Sequence, residues 1–354
     1  MNILFIVNNL SNAGGTERVV CNLANLFREK LNYTVTIVNR ETTKDRVYFS
    51  LDENIEVQAL GKNYFYFYRN LNQYIKDQKP NIILVHNMGK LSVFSSFLKI
   101  PKETKLFSLE HVAFQSRSSW LRTLSKIIYK KYYVIIALTQ KDKADYDSFH
   151  QNVICIPNIS AYDVTILNNT YDISSKTVIA IGRLTYQKNF LALLEAWKGI
   201  QERCNDWYLE IYGEGKERIL LEEYIAKNHL TTVTLKGNQP DLSDVYKKAS
   251  FLVMSSRYEG LGLVLIEAQS FGLPLVSFDC PYGPGEVIKN EYNGYLVENQ
   301  NIAMLENKII DLIACREKRQ IFAENANLSA KKYTKDNILK HWSDIIGLNK
   351  NDSD

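Results

Sequence analysis

The feature that most constrains this chain is a repeated change of period. Short, continuously apolar runs rich in β-branched and aromatic residues alternate with longer segments of helical period. In the first half the runs are ILFIVNN, YTVTIVN, NIILVHN, KLFSLEH, YVIIALT and NVICIPN, separated by helical segments such as Glu17 to Arg28 and Lys141 to Phe149. A run without polar alternation is a strand covered on both faces. Such alternation predicts a parallel sheet flanked by helices. The pattern lapses over the polar, turn-rich SAYDVTILNNTYDISSK, Ser160 to Lys176, then restarts with KTVIAIG, WYLEIYG, TVTLKG, SFLVMS and LPLVSF. At 354 residues the chain also exceeds what one hydrophobic core usually serves. The expected fold class is α/β, with two doubly wound domains facing a cleft, residues 1–160 and 161–333. Residues 334–354 are expected to form a last helix, with Ile338, Trp342 and Ile345 or Ile346 on one face, and a disordered tail, NKNDSD.

Composition narrows the class. Hydrophobic content of 45% and charged content of 23% are those of a folded soluble protein. A net charge of +4 suits anionic ligands or a membrane surface and gives no reason to expect a nucleic-acid partner. The five cysteines are scattered singly, without zinc or redox spacing, which fits small buried side chains in a reducing compartment. MNILFIVNNLSNAGG has no basic leader and reads as a first strand. No run approaches the roughly 18 apolar residues of a membrane span. A cytoplasmic location is expected.

The stretch SSRYEGLGLVLIEAQSFG, Ser255 to Gly272, places two acids, Glu259 and Glu267, around a predicted helix N-terminus. The pattern is strand, loop, then a helix from about Leu263 to Phe271, stopped by Gly272 and Pro274. Ligands of open α/β sheets bind outside the carboxyl ends of strands, where Glu259, Gly260, Leu261 and Gly262 fall. Glycines allow close backbone approach, and a helix N-terminus favours an anion. Carboxylates accept hydrogen bonds from hydroxyls. A ligand with both phosphates and hydroxyls, such as a nucleotide sugar, satisfies both. Either acid alone also fits an ordinary solvated carboxylate stabilised by the helix dipole. IAIGRLTYQKN supplies cations on the same rim, Arg183 and Lys188 in a loop opened by Gly182. The GEG of Gly213 to Gly215 and the KGN of Lys236 to Asn238 follow strands on the same rim too, and each by itself reads as a turn before it reads as a binding loop.

NAGGTERVV, IPN, GRLTYQKN, EGLGLVLIE, GPGEVI and NGYLV occur in the order found in retaining glycosyltransferases of family four, and span nearly the whole chain. The chain resembles that family, of the bacterial surface-polysaccharide type, with the GT-B architecture of two facing Rossmann-like domains. The resemblance implies that Arg183 and Lys188 grip a donor diphosphate and that Glu267 accepts from ribose hydroxyls. It implies that Glu259 lies by the transferred hexose, with the backbone of Gly260 to Gly262 on sugar and phosphate. It sets Gly14 and Gly15 at the opening of the first helix against the diphosphate, and His111 near the sugar. It counts Gly182, Gly237 and Asn238 among the donor-binding positions, gives Pro157 and Asn158 a structural role, and has the last helix cross back to the first domain.

The implied reaction is transfer of a hexose or N-acetylhexosamine from a UDP-sugar to an acceptor hydroxyl with retention, the uracil preference being the family's. No cofactor and no metal are expected. The Asp-x-Asp triplets lie in a predicted helix, Asp145 to Asp147, and in the tail, Asp352 to Asp354. Other GT-B chemistry, such as phosphorolysis or nucleotide-sugar epimerisation, and a non-catalytic glycosyltransferase-like scaffold remain open. His111 to Lys141 contains no acid but holds Arg117, Arg122, Lys126, Lys130, Lys131 and Lys141, interleaved with Trp120, Leu121, Leu124, Ile127 and Ile128. Residues 117–131 read either as a basic amphipathic segment on an anionic membrane, flanked by the aromatic run Asn63 to Tyr74, or as a core-packed helix with a solvated basic face. The first reading, with the family's lipid-linked acceptors, points to a peripheral protein on the inner face of the cell membrane and an undecaprenyl-diphosphate-linked glycan.

Overall fold

The computed structural model describes residues 1–87, 89–162, 164 and 171–347. The tail NKNDSD, with its Asp352 to Asp354 triplet, and parts of the polar segment after Ser160 lie outside them. The chain divides into two compact units: Met1–Ile159 with Ile338–Asp354, and Ser160–Asn337.

In the N-terminal unit the described strands are β1 (Asn2–Ile6), β2 (Thr34–Asn39), β3 (Glu56–Ala59), β4 (Ile82–Asn87), β5 (Lys105–Glu110), β6 (Val134–Ala137) and β7 (Val153–Cys155). They form a parallel sheet in the order β3-β2-β1-β4-β5-β6-β7. The C-terminal unit has β8 (Thr177–Ile181), β9 (Tyr208–Tyr212), β10 (Val233–Gly237), β11 (Phe251–Met254), β12 (Leu275–Phe278) and β13 (Gly294–Val297). Its parallel order is β10-β9-β8-β11-β12-β13. Each unit is doubly wound: the chain builds outward from its first strand, then returns to that strand's other side. β1/β4 and β8/β11 are the switch points, where such sheets bind ligands.

The helix Gly15–Leu31 buries Val19, Val20, Leu23, Ala24, Leu26 and Phe27 on one stripe and ends at Asn32 in the left-handed conformation. The last helix, Lys335–Gly347, buries Ile338, Trp342, Ile345 and Ile346. Trp342 packs edge-on against Phe27, with ring centroids 5.2 Å apart. Pro157 and Asn158 line a small gap with Ile338 and Trp342.

The segment 117–131 needs a correction. Arg117 was expected among the exposed cations, and it is buried. Its guanidinium pairs with buried Glu110 and donates to the hydroxyls of Tyr129 (2.9 Å) and Tyr146 (2.7 Å). Burying a guanidinium demands such partners. After it, the helix Ser119–Ile128 turns Leu121 and Ser125 inward and leaves Trp120 and Ile127 60% and 65% exposed. Lys126, Lys130 and Lys131 are exposed and Arg122 is half-buried.

The loop before this helix is pinned a second time. The backbone N–H of Phe114 donates to the Asp142 carboxylate at 2.7 Å. Burial pushes the Asp142 carboxyl up to about 7, with the charge of Glu110 adding and that of Arg117 opposing. The folded chain therefore keeps a proton that the unfolded chain sheds at its ordinary 3.8. Stability falls as pH rises through that window, and the loss is complete above it. Asp142→Asn keeps an oxygen for Phe114 and removes the ionisation. It should flatten the pH dependence and gain about 2–4 kcal/mol at about pH 8 over its effect at about pH 4. Thermal melts at the two pH values check this, and equal shifts at both would refute it.

Candidate active site

The loop after β8 and the loop after β11 stand at the switch point of the C-terminal unit. Glycine contacts fix the rim. A Cβ on Gly213, whose φ is +139°, would lie 1.9 Å from the carbonyl oxygen of Gly182, and one on Gly215 would lie 2.2 Å from that of Leu184. No side chain fits there, so the loop after β9 presses directly on the loop after β8. Backbone bonds from Gly182 to Tyr212 and from Leu184 to Glu214, both 2.9 Å, complete the contact. Gly213 also donates to the carbonyl of Gly237 at 2.8 Å. Asn238, next in the chain, is exposed.

Arg183 is exposed on this rim, while Lys188 is drawn in. Lys188 Nζ lies 2.6 Å from Glu259 Oε1, which also accepts from the Ser256 hydroxyl at 2.6 Å. Arg257 N donates to the Gln187 carbonyl, the Gln187 amide to that of Tyr258, and the Ser255 hydroxyl to that of Lys188. The two loops are thereby stitched along their length. Gly260, Leu261 and Gly262 follow, and Gly262, at φ +82°, opens the helix Leu263–Ser270. Gly283 of GPGEVI abuts their backbone: its Cβ would lie 2.6 Å from the Leu261 carbonyl carbon. Glu267, on that helix, is fully buried, and Tyr246 donates its phenol proton to Oε2 at 2.8 Å.

In the N-terminal unit, Gly14 caps the helix Gly15–Leu31 in an extended conformation, and its carbonyl accepts from Arg18. A Cβ on Gly15 would meet nothing within 4 Å. His111 follows β5 and is 8% exposed. Its Nε2 lies 3.1 Å from Nδ1 of His86, near the end of β4. Burial pushes His111 down to about 3 and His86 well below its ordinary 6.5, so both rings are neutral. The structure thus gathers Gly182, Arg183, Lys188, Glu259 and Gly260 to Gly262 on one rim, with Gly237 tied to it and Glu267 beneath. Sequence reasoning missed Ser256, Tyr246 and His86. Ser256 was within reach, three residues before Glu259. His86 had one signal, a polar residue closing an apolar run. Tyr246 had none.

Among the described residues no group of three or more His, Cys, Asp or Glu side chains is placed to hold a metal ion. Asp145 accepts from Gln115, and Asp147 pairs with Lys143 along the helix Gln140–Asp147.

Two doubly wound parallel-sheet units, each with its switch point at the carboxyl ends of its strands, define an α/β protein of the GT-B class. Residues 169–329 match the family described as glycosyl transferases group 1. The amylovoran biosynthesis glycosyltransferase AmsD of Erwinia amylovora is 33% identical over 97% of this chain and 99% of its own length. A Campylobacter jejuni protein, GalNAc-alpha-(1->4)-GalNAc-alpha-(1->3)-diNAcBac-PP-undecaprenol alpha-1,4-N-acetyl-D-galactosaminyltransferase, is 25% identical over 99% of both chains. Among solved structures, a mutant of S. aureus TarM in complex with fondaparinux, alpha-GlcNAc-glycerol and UDP shares the fold. Its TM-score is 0.84 at 17% identity, covering 97% of this chain and 99% of that one. The chain belongs to the group 1 glycosyltransferases.

The glycine contacts yield a test that is independent of substrate. Gly213→Ala forces a Cβ into the Gly182 carbonyl at a backbone angle that L-residues avoid. It should cost at least about 2 kcal/mol of stability. Denaturant unfolding measures this, and a parent-like midpoint would show that the rim tolerates separation of the two loops.

Proposed function

We propose that this glycosyltransferase moves a hexose or N-acetylhexosamine from a UDP-sugar to a hydroxyl of a lipid-linked glycan in bacterial surface-polysaccharide synthesis, with retention of configuration. The observation that carries the donor reading is the rim at the β8/β11 switch point: two cations, a glycine-rich turn and a helix start, with carboxylate acceptors beside them. The AmsD relative supports polysaccharide synthesis, the TarM complex supports UDP, and the C. jejuni relative supports an undecaprenyl-diphosphate-linked acceptor.

As the anomeric carbon–oxygen bond breaks, negative charge grows on the departing diphosphate. Arg183 and Lys188 stabilise it, most strongly where they are already oriented. Lys188 is oriented by Glu259 and Ser256. We assign Glu259 to the hexose as well, and the backbone of Gly182, Gly260, Leu261 and Gly262 to sugar and phosphate. Gly14, Gly15, Gly237 and Asn238 complete the donor contacts, and His111 meets the sugar. Tyr246 holds one oxygen of Glu267, and the other takes the ribose hydroxyls, which requires nearby side chains to shift. The leaving phosphate oxygen takes the acceptor proton. No metal ion enters the reaction.

Arg183→Ala and Lys188→Ala should each lower turnover by roughly 10²- to 10³-fold. Loss of the exposed Arg183 should change the melting temperature little, whereas Lys188→Ala should lower it by leaving the buried Glu259 carboxylate unpaired. Glu267→Ala should chiefly weaken UDP binding, since ribose contacts are made in ground and transition states alike. EDTA should leave the rate unchanged. Radiolabelled transfer and calorimetry with UDP measure these effects. Near-parent turnover in the cation variants, or restoration of an EDTA-lost rate by manganese, would reject the donor reading.

The acceptor reading rests on the helix Ser119–Ile128. No helix among the described residues is long and apolar enough to cross a membrane. Exposed Trp120 and Ile127, with half-buried Leu124, recur at helical spacing on one stripe, while Arg122, Lys126 and Lys130 form another. Tyr64, Phe65 and Tyr66, at the start of the helix Tyr64–Gln78, are also exposed. We assign this surface to the anionic inner face of the cell membrane, where each cation is worth about 1 kcal/mol at low salt. An Arg122, Lys126, Lys130 triple Glu variant should lose co-sedimentation with anionic liposomes. Equal binding to neutral and anionic lipid, or an unaffected variant, would make this face an ordinary solvated one.

A further inference from the structure

The contact between His86 and His111 specifies more than proximity. The rings are nearly parallel, at 14°, with centroids 5.3 Å apart and a nitrogen–nitrogen distance of 3.1 Å. At that separation the nitrogens meet edge to edge, as in a hydrogen bond, and not face to face. One neutral imidazole must donate and the other accept.

The surroundings of His86 decide which. His86 is 1% exposed, lies in register with Leu109 of β5, and packs against the Phe5 ring at 4.8 Å. Its other nitrogen, Nε2, is buried and has no hydrogen-bond partner among the described residues. A proton on Nε2 would leave a buried N–H unpaired, the costlier kind of orphan. A proton on Nδ1 is used at once in the bond to His111 and leaves only a lone pair unpaired on Nε2. His86 therefore donates from Nδ1, and His111 accepts at Nε2. A neutral His111 that accepts at Nε2 carries its own proton on Nδ1.

We propose that His86 is a positioning residue that locks His111 in the Nδ1–H tautomer, so that His111 acts only as a hydrogen-bond donor to an oxygen of the donor sugar. The second clause rests on the assignment of His111 to the sugar; the lock itself does not. Without the lock, neutral His111 would divide between two tautomers, and in one it would present a lone pair to a substrate oxygen.

Long-range proton–nitrogen NMR of the uniformly ¹⁵N-labelled full chain reads the tautomer directly. The five histidines make assignment by His86→Asn and His111→Gln practicable. His111 should appear as the Nδ1–H form. In His86→Phe it should become a mixture of tautomers, with kcat about tenfold lower, the worth of one hydrogen bond, and UDP binding unchanged. His86→Asn, whose amide can donate from near the same position, should restore both signals. An Nε2–H form in the parent, or an unchanged tautomer in His86→Phe, overturns the lock even if every activity falls. A locked tautomer with full turnover in His111→Ala overturns the catalytic role and assigns that failure to the placement of His111.

Discussion

A half-buried ammonium beside a buried carboxylate organises the C-terminal unit. Lys188 and Glu259 come from loops 71 positions apart in sequence, and their side chains are 15% and 8% exposed. Two charges held this far from water stabilise the fold only when their remaining hydrogen-bonding capacity is met. Ser256 supplies part of it, and backbone and side-chain bonds between residues 187–188 and 255–258 hold the partners in register. The start of the helix Leu263–Ser270 is placed by this stitching, and with it the glycine turn and Glu267. The glycines of GEG and GPGEVI do the complementary work from outside, since only a missing Cβ lets their backbone approach so closely.

Much of this was legible in the sequence because of what parallel strands require. Eleven of the described strands lie in short apolar runs bounded by turn residues or helical segments, and these announce themselves. β3, half-exposed and beginning at Glu56, and β13, four residues opening at Gly294, carry too little apolar signal to stand out. The loop motifs were equally visible, since glycines and cations after strands are local features. What was hidden depends on contacts between distant elements. Tyr246 reaches Glu267 from a different helix, and His86 meets His111 from the neighbouring strand. The error over Arg117 has the same origin. Its acid, Glu110, lies one residue before the acid-free stretch that suggested a membrane-facing cation.

The N-terminal unit shows two opposite electrostatic solutions side by side. Glu110 and Arg117 pair in the interior, where the hydroxyls of Tyr129 and Tyr146 take further bonds from the guanidinium. His111, the residue after Glu110, meets the imidazole of His86, and burial keeps both rings neutral. Neutral rings leave the choice of tautomer to hydrogen-bond geometry, whereas the ion pair leaves no such choice. One strand end thus combines a fixed charge that anchors a loop with an uncharged donor whose direction depends on its neighbour.

The N-terminal unit is discontinuous: residues 1–159 are completed by the helix carrying Ile338, Trp342, Ile345 and Ile346. During synthesis the ribosome therefore delivers the whole of Ser160–Asn337 before the first unit receives the indole that packs on Phe27. The usual order, in which the earlier domain is finished first, is reversed here. The nascent N-terminal unit must wait with an uncovered apolar stripe on the helix Gly15–Leu31 until the final turns of the chain emerge. Loss of those turns, by premature termination or by proteolysis near residue 334, would be felt at the opposite end of the sequence.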